Sequence, residues 1–246
     1  MKVNEVIVKS ALSKSSLPGL VYALNPYRGC QHACTYCYAP SVLRENRRWG
    51  EFVDVKLNLP SVLAKEIASK PRGIVGIGTV TDAYQPAERE YEITRKCLEV
   101  LLKKDWPISI QTKSDLVLRD LDLIEKFKDK DIGFTIATLD DKARKMFEPH
   151  SSTIGARLDA LRTIAKRGIK TWVFLGPIIP DLLGDTLEEL IKALSGAGID
   201  HLLFDRLNIK PGMGAFDQYR DYDYKPIEEK VKELCRQYNI RCYNAF

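Results

Sequence analysis

The sequence predicts an α/β fold in a single domain, a partial (β/α)6 barrel that is TIM-like but stops short of eight units. Two observations lead there. Short apolar runs alternate with helical stretches about six times after residue 20, the spacing of βα units around a parallel sheet. Each strand is followed by a loop carrying hydroxyls, charges or glycine, as expected where ligands gather beyond the carboxyl ends of parallel strands. No linker, repeat or low-complexity run interrupts the pattern, so residues 20–246 form one domain behind an irregular lead-in over 1–19.

The lead-in carries scattered lysines and serines and ends in the turn pair Pro18-Gly19. Residues 20–24, Leu-Val-Tyr-Ala-Leu, read as a buried strand that feeds directly into a loop with three cysteines. Residues 52–57 alternate enough for a short strand. A helix is expected over 60–70, with Pro60 at its start and Pro71 beyond its end. The apolar strand at 73–78 is glycine-rich, but its glycines lie inside the strand at the wrong spacing for a dinucleotide fingerprint. A long helix is expected over 88–104, with Ile93, Cys97, Val100 and Leu101 on one face. Then come a strand at 107–111, a helix at 116–128, a strand at 132–137 and a helix at 154–166 closed by Gly168. A strand at 170–175, helix at 186–194, strand at 201–205, helix at 226–238 and short strand at 240–243 complete the chain.

Composition bounds the function. The 246 residues, 45% hydrophobic and 29% charged, can bury a sizeable core. There is no export signal and no run long enough to cross a bilayer, so the expected location is cytoplasmic and the six cysteines read as thiols, not a disulfide framework. A net charge of +5 is a mild excess, compatible with an anionic partner but far from a nucleic-acid-binding tail. Arg44, Arg47 and Arg48, followed by Trp49, could grip phosphates and stack a base, or form the exposed face of a short helix.

The chemistry centres on residues 25–40, Asn-Pro-Tyr-Arg-Gly-Cys-Gln-His-Ala-Cys-Thr-Tyr-Cys-Tyr-Ala-Pro. Cys30, Cys34 and Cys37 stand in a C-x3-C-x2-C spacing, three soft thiolate ligands on one short loop. Four would complete a zinc site or an ordinary iron–sulfur cluster; three leave one coordination position open for chemistry. Zinc with His32 or a distant cysteine as fourth ligand is the rival reading, though the usual second pair of ligands is absent.

This motif, with an aromatic before its third cysteine, resembles the radical S-adenosylmethionine (SAM) superfamily. The Asn-Pro-Tyr-Arg-Gly-Cys and Tyr-Cys-Tyr-Ala flanks, Thr-Asp-x-Tyr-Gln-Pro-x-Glu at 81–88, Thr-Lys-Ser at 112–114, Glu148-Pro149 and Arg157-Leu158 resemble its spore photoproduct lyase-like branch. The resemblance implies that Cys30, Cys34 and Cys37 hold three irons of a [4Fe–4S] cluster. It implies that the fourth iron binds SAM, and that a flavodoxin- or ferredoxin-type donor reduces the cluster. It places Tyr36 and Tyr38 beside the adenine, Thr79, Thr81 and Asp82 as polar cofactor contacts, Lys113 at the SAM carboxylate and Thr135 where a serine contacts SAM, with Arg157 as a further contact. Each has a plainer reading. Lys113 suits a strand-end surface lysine, Asp82 a helix cap, Glu88 a first-turn acid and Arg157 a helix-surface ion-pair partner. Cys97 suits a core thiol, and Cys235 and Cys242 structural thiols.

One departure bears on the reaction. True spore photoproduct lyases carry a hydrogen-donating cysteine near the end of the second strand, and that position here is Thr79. No cysteine lies between Cys37 and Cys97. The resemblance therefore implies hydrogen abstraction by a 5′-deoxyadenosyl radical from a substrate, with a nucleic-acid base or lesion favoured by analogy with that branch, without the lyase's own thiol. The alternatives are modification of a peptide or small cofactor precursor, or, in another class, a non-catalytic zinc- or cluster-stabilised nucleic-acid-binding protein.

Overall fold

The computed structural model describes residues 1–183 and 186–245. The first corrections come at its start. β1 (Lys2–Val6) and β2 (Leu12–Lys14) occupy the stretch expected to be irregular. Both are short and mostly exposed, so no apolar period marks them; their strand state comes from partners far along the chain. β2 pairs antiparallel with β3 (Tyr22–Leu24), which enters the cysteine loop after β4 (Tyr27–Arg28). The loop ends in α1 (Ala39–Leu43). β5 (Phe52–Lys56) then pairs parallel with β1 and antiparallel with β4. The strand expected near 52 therefore exists, but in a separate three-stranded sheet, β1-β5-β4, beside the barrel.

The main sheet has eight strands in the order β11-β10-β9-β8-β7-β6-β3-β2. α2 (Leu59–Ser69) turns Leu59, Leu63 and Ile67 to the core at helical spacing and leads to β6 (Val75–Ile77). Two helices, α3 (Glu88–Tyr91) and α4 (Ile93–Leu102), replace the single long one expected. The break is at Glu92, in a left-handed conformation with φ 52°. It lets the Glu88 carboxylate turn back and accept the Thr94 and Arg95 N–H groups (2.9 and 3.2 Å), satisfying donors at the start of α4. After β7 (Ile108–Thr112), a 3-10 turn at Asp115–Asp120 precedes the short α5 (Leu121–Ile124), where one α-helix was expected. The turn buries Asp120, which Arg95 (2.9 Å) and Arg119 (2.8 Å) neutralise.

β8 (Lys130–Thr135) is followed by α6 (Asp141–Phe147), a helix not anticipated, which Asp140 caps by accepting the Lys142 N–H at 2.7 Å. α7 (Ile154–Lys166) has the expected bounds. β9 (Lys170–Ile178) continues through Gly176-Pro177, expected to be loop. α8 (Pro180–Leu183), α9 (Leu187–Gly196), β10 (His201–Arg206), α10 (Lys225–Gln237) and β11 (Arg241–Asn244) follow. From β3 to β11 all neighbours run parallel, and among the described residues the edges β2 and β11 do not pair, so the barrel is open. No helix among them is long and apolar enough to cross a membrane.

Candidate functional site at the cysteine loop

The carboxyl ends of β3, β6, β7 and β8 surround the cysteine loop, and residues 81–88 grip it. Thr81 Oγ1 donates to the Gly29 carbonyl at 2.7 Å, and Gln85 Nε2 bonds Thr81 Oγ1 at 3.0 Å. Gln85 Oε1 accepts the Gln31 N–H at 2.9 Å, while the Gln31 side chain accepts the Ala87 N–H. Asp82 joins three segments. Oδ1 accepts from Tyr84 N (2.9 Å) and Thr112 Oγ1 (2.7 Å), and Oδ2 accepts from Lys113 N (2.8 Å) and lies 3.2 Å from His32 Nδ1. The Thr-Asp-x-Tyr-Gln-Pro-x-Glu pattern thus fixes the loop to the barrel, and the polar atoms of Thr81 and Asp82 are already engaged in doing so. Glu88, fully buried, anchors the far side through Tyr27 Oη and Arg119 (2.7 Å).

The opposite side is held by the segment after α6. Thr35 N donates to Phe147 O at 2.9 Å, and Tyr36 Oη donates to the buried Glu148 carboxylate. Glu148 also meets the Arg157 guanidinium, which donates to Thr135 O (2.8 Å) and Ser152 O (3.0 Å). Arg157 is 0% exposed. It is neither on the helix surface nor on the cavity wall; it stands behind Tyr36 and Thr135 and fixes both. Burial works against charge on Glu148, but Arg157 and then Lys113 hold its carboxyl below the usual range.

The front of the loop opens on a cavity of ≈ 1060 Å³. Cys30, Cys34, Cys37, Tyr36, Tyr38, Thr79, Thr81, Asp82, Lys113 and Thr135 all line it; of the sequence-derived site residues only Arg157 does not. Tyr38 Oη donates to the Thr79 carbonyl, and Lys113 Nζ lies 5.9 Å from the centre of the Tyr36 ring. Burial disfavours the Lys113 ammonium, but Cys34, Glu148 and Asp82 around it more than compensate and hold it above the usual lysine range. A fixed positive charge at a strand end beside three thiols suits an anion bound next to a metal centre.

The donor set can be tested against such a centre. All three cysteines are free thiols. Burial pushes Cys30 up to about 12 and also raises Cys34 and Cys37, so their thiolate forms need a cation beside them, which bound metal supplies. Trp49 adds a second sign. Its indole N–H is buried without a conventional hydrogen-bond partner, and it approaches the Cys37 sulfur. The ring is held edge-on to Phe52 with centroids 6.0 Å apart. Phe52 in turn packs on Gly29 (φ +86°), where a Cβ would come within 2.3 Å of the Phe52 carbonyl. Among the described residues no three His, Cys, Asp or Glu side chains converge as a single-ion site demands. A cluster, whose irons each take one thiolate, makes no such demand. The residues fit a cluster.

The sequence pattern of the radical SAM superfamily matches residues 24–195, which take in the cysteine loop and the strand-end loops as far as Asp181. The chain belongs to the radical SAM superfamily. An uncharacterized protein of Methanocaldococcus jannaschii is 35% identical over 94% of this chain and 87% of its own length. An uncharacterized protein of Mycobacterium tuberculosis is 34% identical over 79% of this chain, which spans 62% of that protein. The spore photoproduct lyase of a Geobacillus species is 25% identical over 93% of this chain and 69% of its own. Among solved structures, a spore photoproduct lyase complexed with dinucleoside spore photoproduct superposes with a TM-score of 0.76 at 20% identity, covering 99% of this chain and 82% of that one. Streptococcus suis SuiB bound to S-adenosylmethionine gives 0.62 at 15% identity, over 90% of this chain and 49% of that one. The radical SAM fold of the lyases is therefore the fold of this chain, and the protein is a radical SAM enzyme.

Sequence reasoning passed over Gln85 and Glu148 as individual functional residues, and read Trp49 only as an aromatic that could stack a base. Gln85 and Glu148 stood inside quoted motifs, yet no spacing rule says that their side chains reach back to the cysteine loop. Trp49 lies 12 residues beyond Cys37, and its place beside that thiol depends on its packing against Phe52 of β5.

Proposed function

We propose that Cys30, Cys34 and Cys37 hold a [4Fe–4S] cluster and that SAM lies in the cavity between this loop and Lys113. The observation that carries this reading is the convergence of three free thiols and the charged Lys113 on one cavity. Once reduced by a flavodoxin- or ferredoxin-type donor, such a cluster supplies cleavage of SAM to a 5′-deoxyadenosyl radical able to take hydrogen from a substrate. The chain's own residues do the positioning. Lys113 presents its ammonium to the SAM carboxylate. Tyr36, pinned by Glu148, and Tyr38, tied to the Thr79 carbonyl, border the adenine. Thr135 supplies a hydroxyl at the end of β8, where Arg157 braces its carbonyl. Thr81 and Asp82 act through the loop they hold, and Arg157 acts through Tyr36 and Thr135.

The favoured substrate is a nucleic-acid base or lesion, supported by the lyase-like fold and by the dinucleoside bound in the lyase that shares it. Thr79, where the resemblance places a hydrogen-donating cysteine, cannot return a hydrogen as a thiol does, so the reaction differs from that lyase's at its last step. Anaerobic reconstitution with iron and sulfide tests the reading. About four irons per chain with broad brown absorbance, and 5′-deoxyadenosine formed on reduction with dithionite, are expected. One tightly held zinc and no SAM cleavage would overturn it. A radical-dependent change in a peptide or cofactor precursor, with none in oligonucleotides, would replace the substrate assignment alone.

A further inference from the structure

Lys56 ends β5 and lines the same cavity, but from the small sheet and not from the barrel. Its Nζ donates to the Asn25 carbonyl at 2.7 Å, and no carboxylate among the described residues lies within ion-pair distance. An ammonium has three donors, and here only one is engaged. The acids around it are already neutralised. Asp54, on the same face of β5, meets Arg47 at 2.7 Å and accepts from Asn4 at 2.8 Å; Glu45 is held by Arg28 and Arg47. Burial and the neighbouring Arg28 both act against the charge on Lys56, a cost that an incoming anion would relieve.

The site is built. Asn25 is locked by its side chain to Thr79 Oγ1 (3.0 Å) and to the Val80 N–H (2.9 Å). Thr79 receives Tyr38 Oη, so Lys56 is tied through two residues to the end of the cysteine loop. Elsewhere on the cavity wall, Lys14, Arg206 and Lys210 make no ion pair among the described residues. The one unpaired acid there is Asp205, which burial raises toward its neutral form and whose oxygen accepts from Asn208 at 3.0 Å. Beyond Lys113, the cavity wall therefore carries more unpaired basic than acidic side chains among the described residues.

We propose that Lys56 anchors a phosphate of the substrate, a nucleic-acid strand whose base is presented to the cysteine loop. This rests on the nucleic-acid reading above. The test uses cluster-loaded protein with SAM and a fluorescein-labelled single-stranded oligonucleotide, followed by anisotropy across a salt series. Lys56→Met should weaken binding roughly tenfold and flatten the plot of log affinity against log salt by about 0.7. Lys56→Arg should keep the wild-type slope. The visible absorbance of the cluster reports that each variant is folded and loaded. Wild-type affinity and slope in Lys56→Met would overturn the role of Lys56 while leaving nucleic acid as substrate. Wild-type protein that binds no oligonucleotide would overturn both.

Discussion

Glu148→Ala probes the clamp behind the cysteine loop. The Glu148 carboxylate is 4% exposed and meets the fully buried Arg157 guanidinium, the Tyr36 hydroxyl and Ser151 Oγ at 3.2 Å. Its removal leaves a buried cation whose remaining partners are carbonyls and a hydroxyl, with Lys113 near enough to repel it. Breaking such a pair from one side costs about 3–5 kcal/mol. At roughly 2–4 °C per kcal/mol for a chain of this size, the melting temperature of the metal-free protein should fall by roughly 6–20 °C. Tyr36 also loses the acceptor that orients it, so iron incorporation should fall in the fraction that remains folded. Calorimetry and iron analysis read the two effects separately. Glu148→Gln, which keeps an acceptor for Tyr36 and Arg157 but not the charge, should fall between wild type and Ala. Replacing both partners, as Glu148→Leu with Arg157→Met, should recover much of the loss, since no unpaired charge is then left inside. A drop of less than about 2 °C in Glu148→Ala would show that the pair does not brace this side of the loop.

Three further outcomes follow. Alanine at any one of Cys30, Cys34 or Cys37 should abolish the brown absorbance and 5′-deoxyadenosine formation, whereas Cys97→Ala, in the core, should cost stability and leave both; a normal cluster in Cys34→Ala would refute the ligand assignment. Trp49→Phe removes an N–H facing Cys37 and should lower the cluster's midpoint potential by about 20–60 mV, the equivalent of one hydrogen bond favouring the reduced form; an unchanged potential would refute that contact. The carboxyls of Glu148 and Asp54 are held below their unfolded values, by Arg157 and Lys113 against burial in one case and by Arg47 in the other. Their stabilisation is fully present above the unfolded values near 4 and is lost as pH falls through the folded ones. The share of the melting temperature that these two carboxylates supply should thus be constant above about pH 5 and decline below about pH 4; a rise on acidification below about pH 4 would contradict the sign.

What was legible in the sequence was local. α7 came out with its expected bounds because its signals are neighbours in the chain: Thr153 caps it by accepting the Ala156 N–H at 3.2 Å, and Gly168 (φ +70°) closes it. That Cys30 and Lys113 face one cavity was legible for the same reason, since both follow parallel strands; Thr135 came only from the family resemblance, because its strand was expected to run on to 137, whereas β8 ends at Thr135. What was not legible depends on partners distant in sequence. β1 is a strand because Lys2 and Val3 pair with Phe52 and Val53, and Glu92 breaks a helical period where Glu88 caps α4. The arginine cluster shows how this reaches function. Read as a row, Arg44, Arg47 and Arg48 look equivalent. In the fold, Arg47 lies 3.6 Å over the Phe52 ring and binds Glu45 and Asp54, so it holds the small sheet to the cysteine loop. Arg48, 84% exposed, pairs with Glu51 at 2.9 Å, an interaction too solvated to fix much. Because Arg47 takes up Asp54, Lys56 on the same face of β5 is left without a carboxylate partner among the described residues. Arg47, read in the sequence as a candidate phosphate contact, is instead committed to two carboxylates, and the lysine proposed for that role stands two residues beyond one of them.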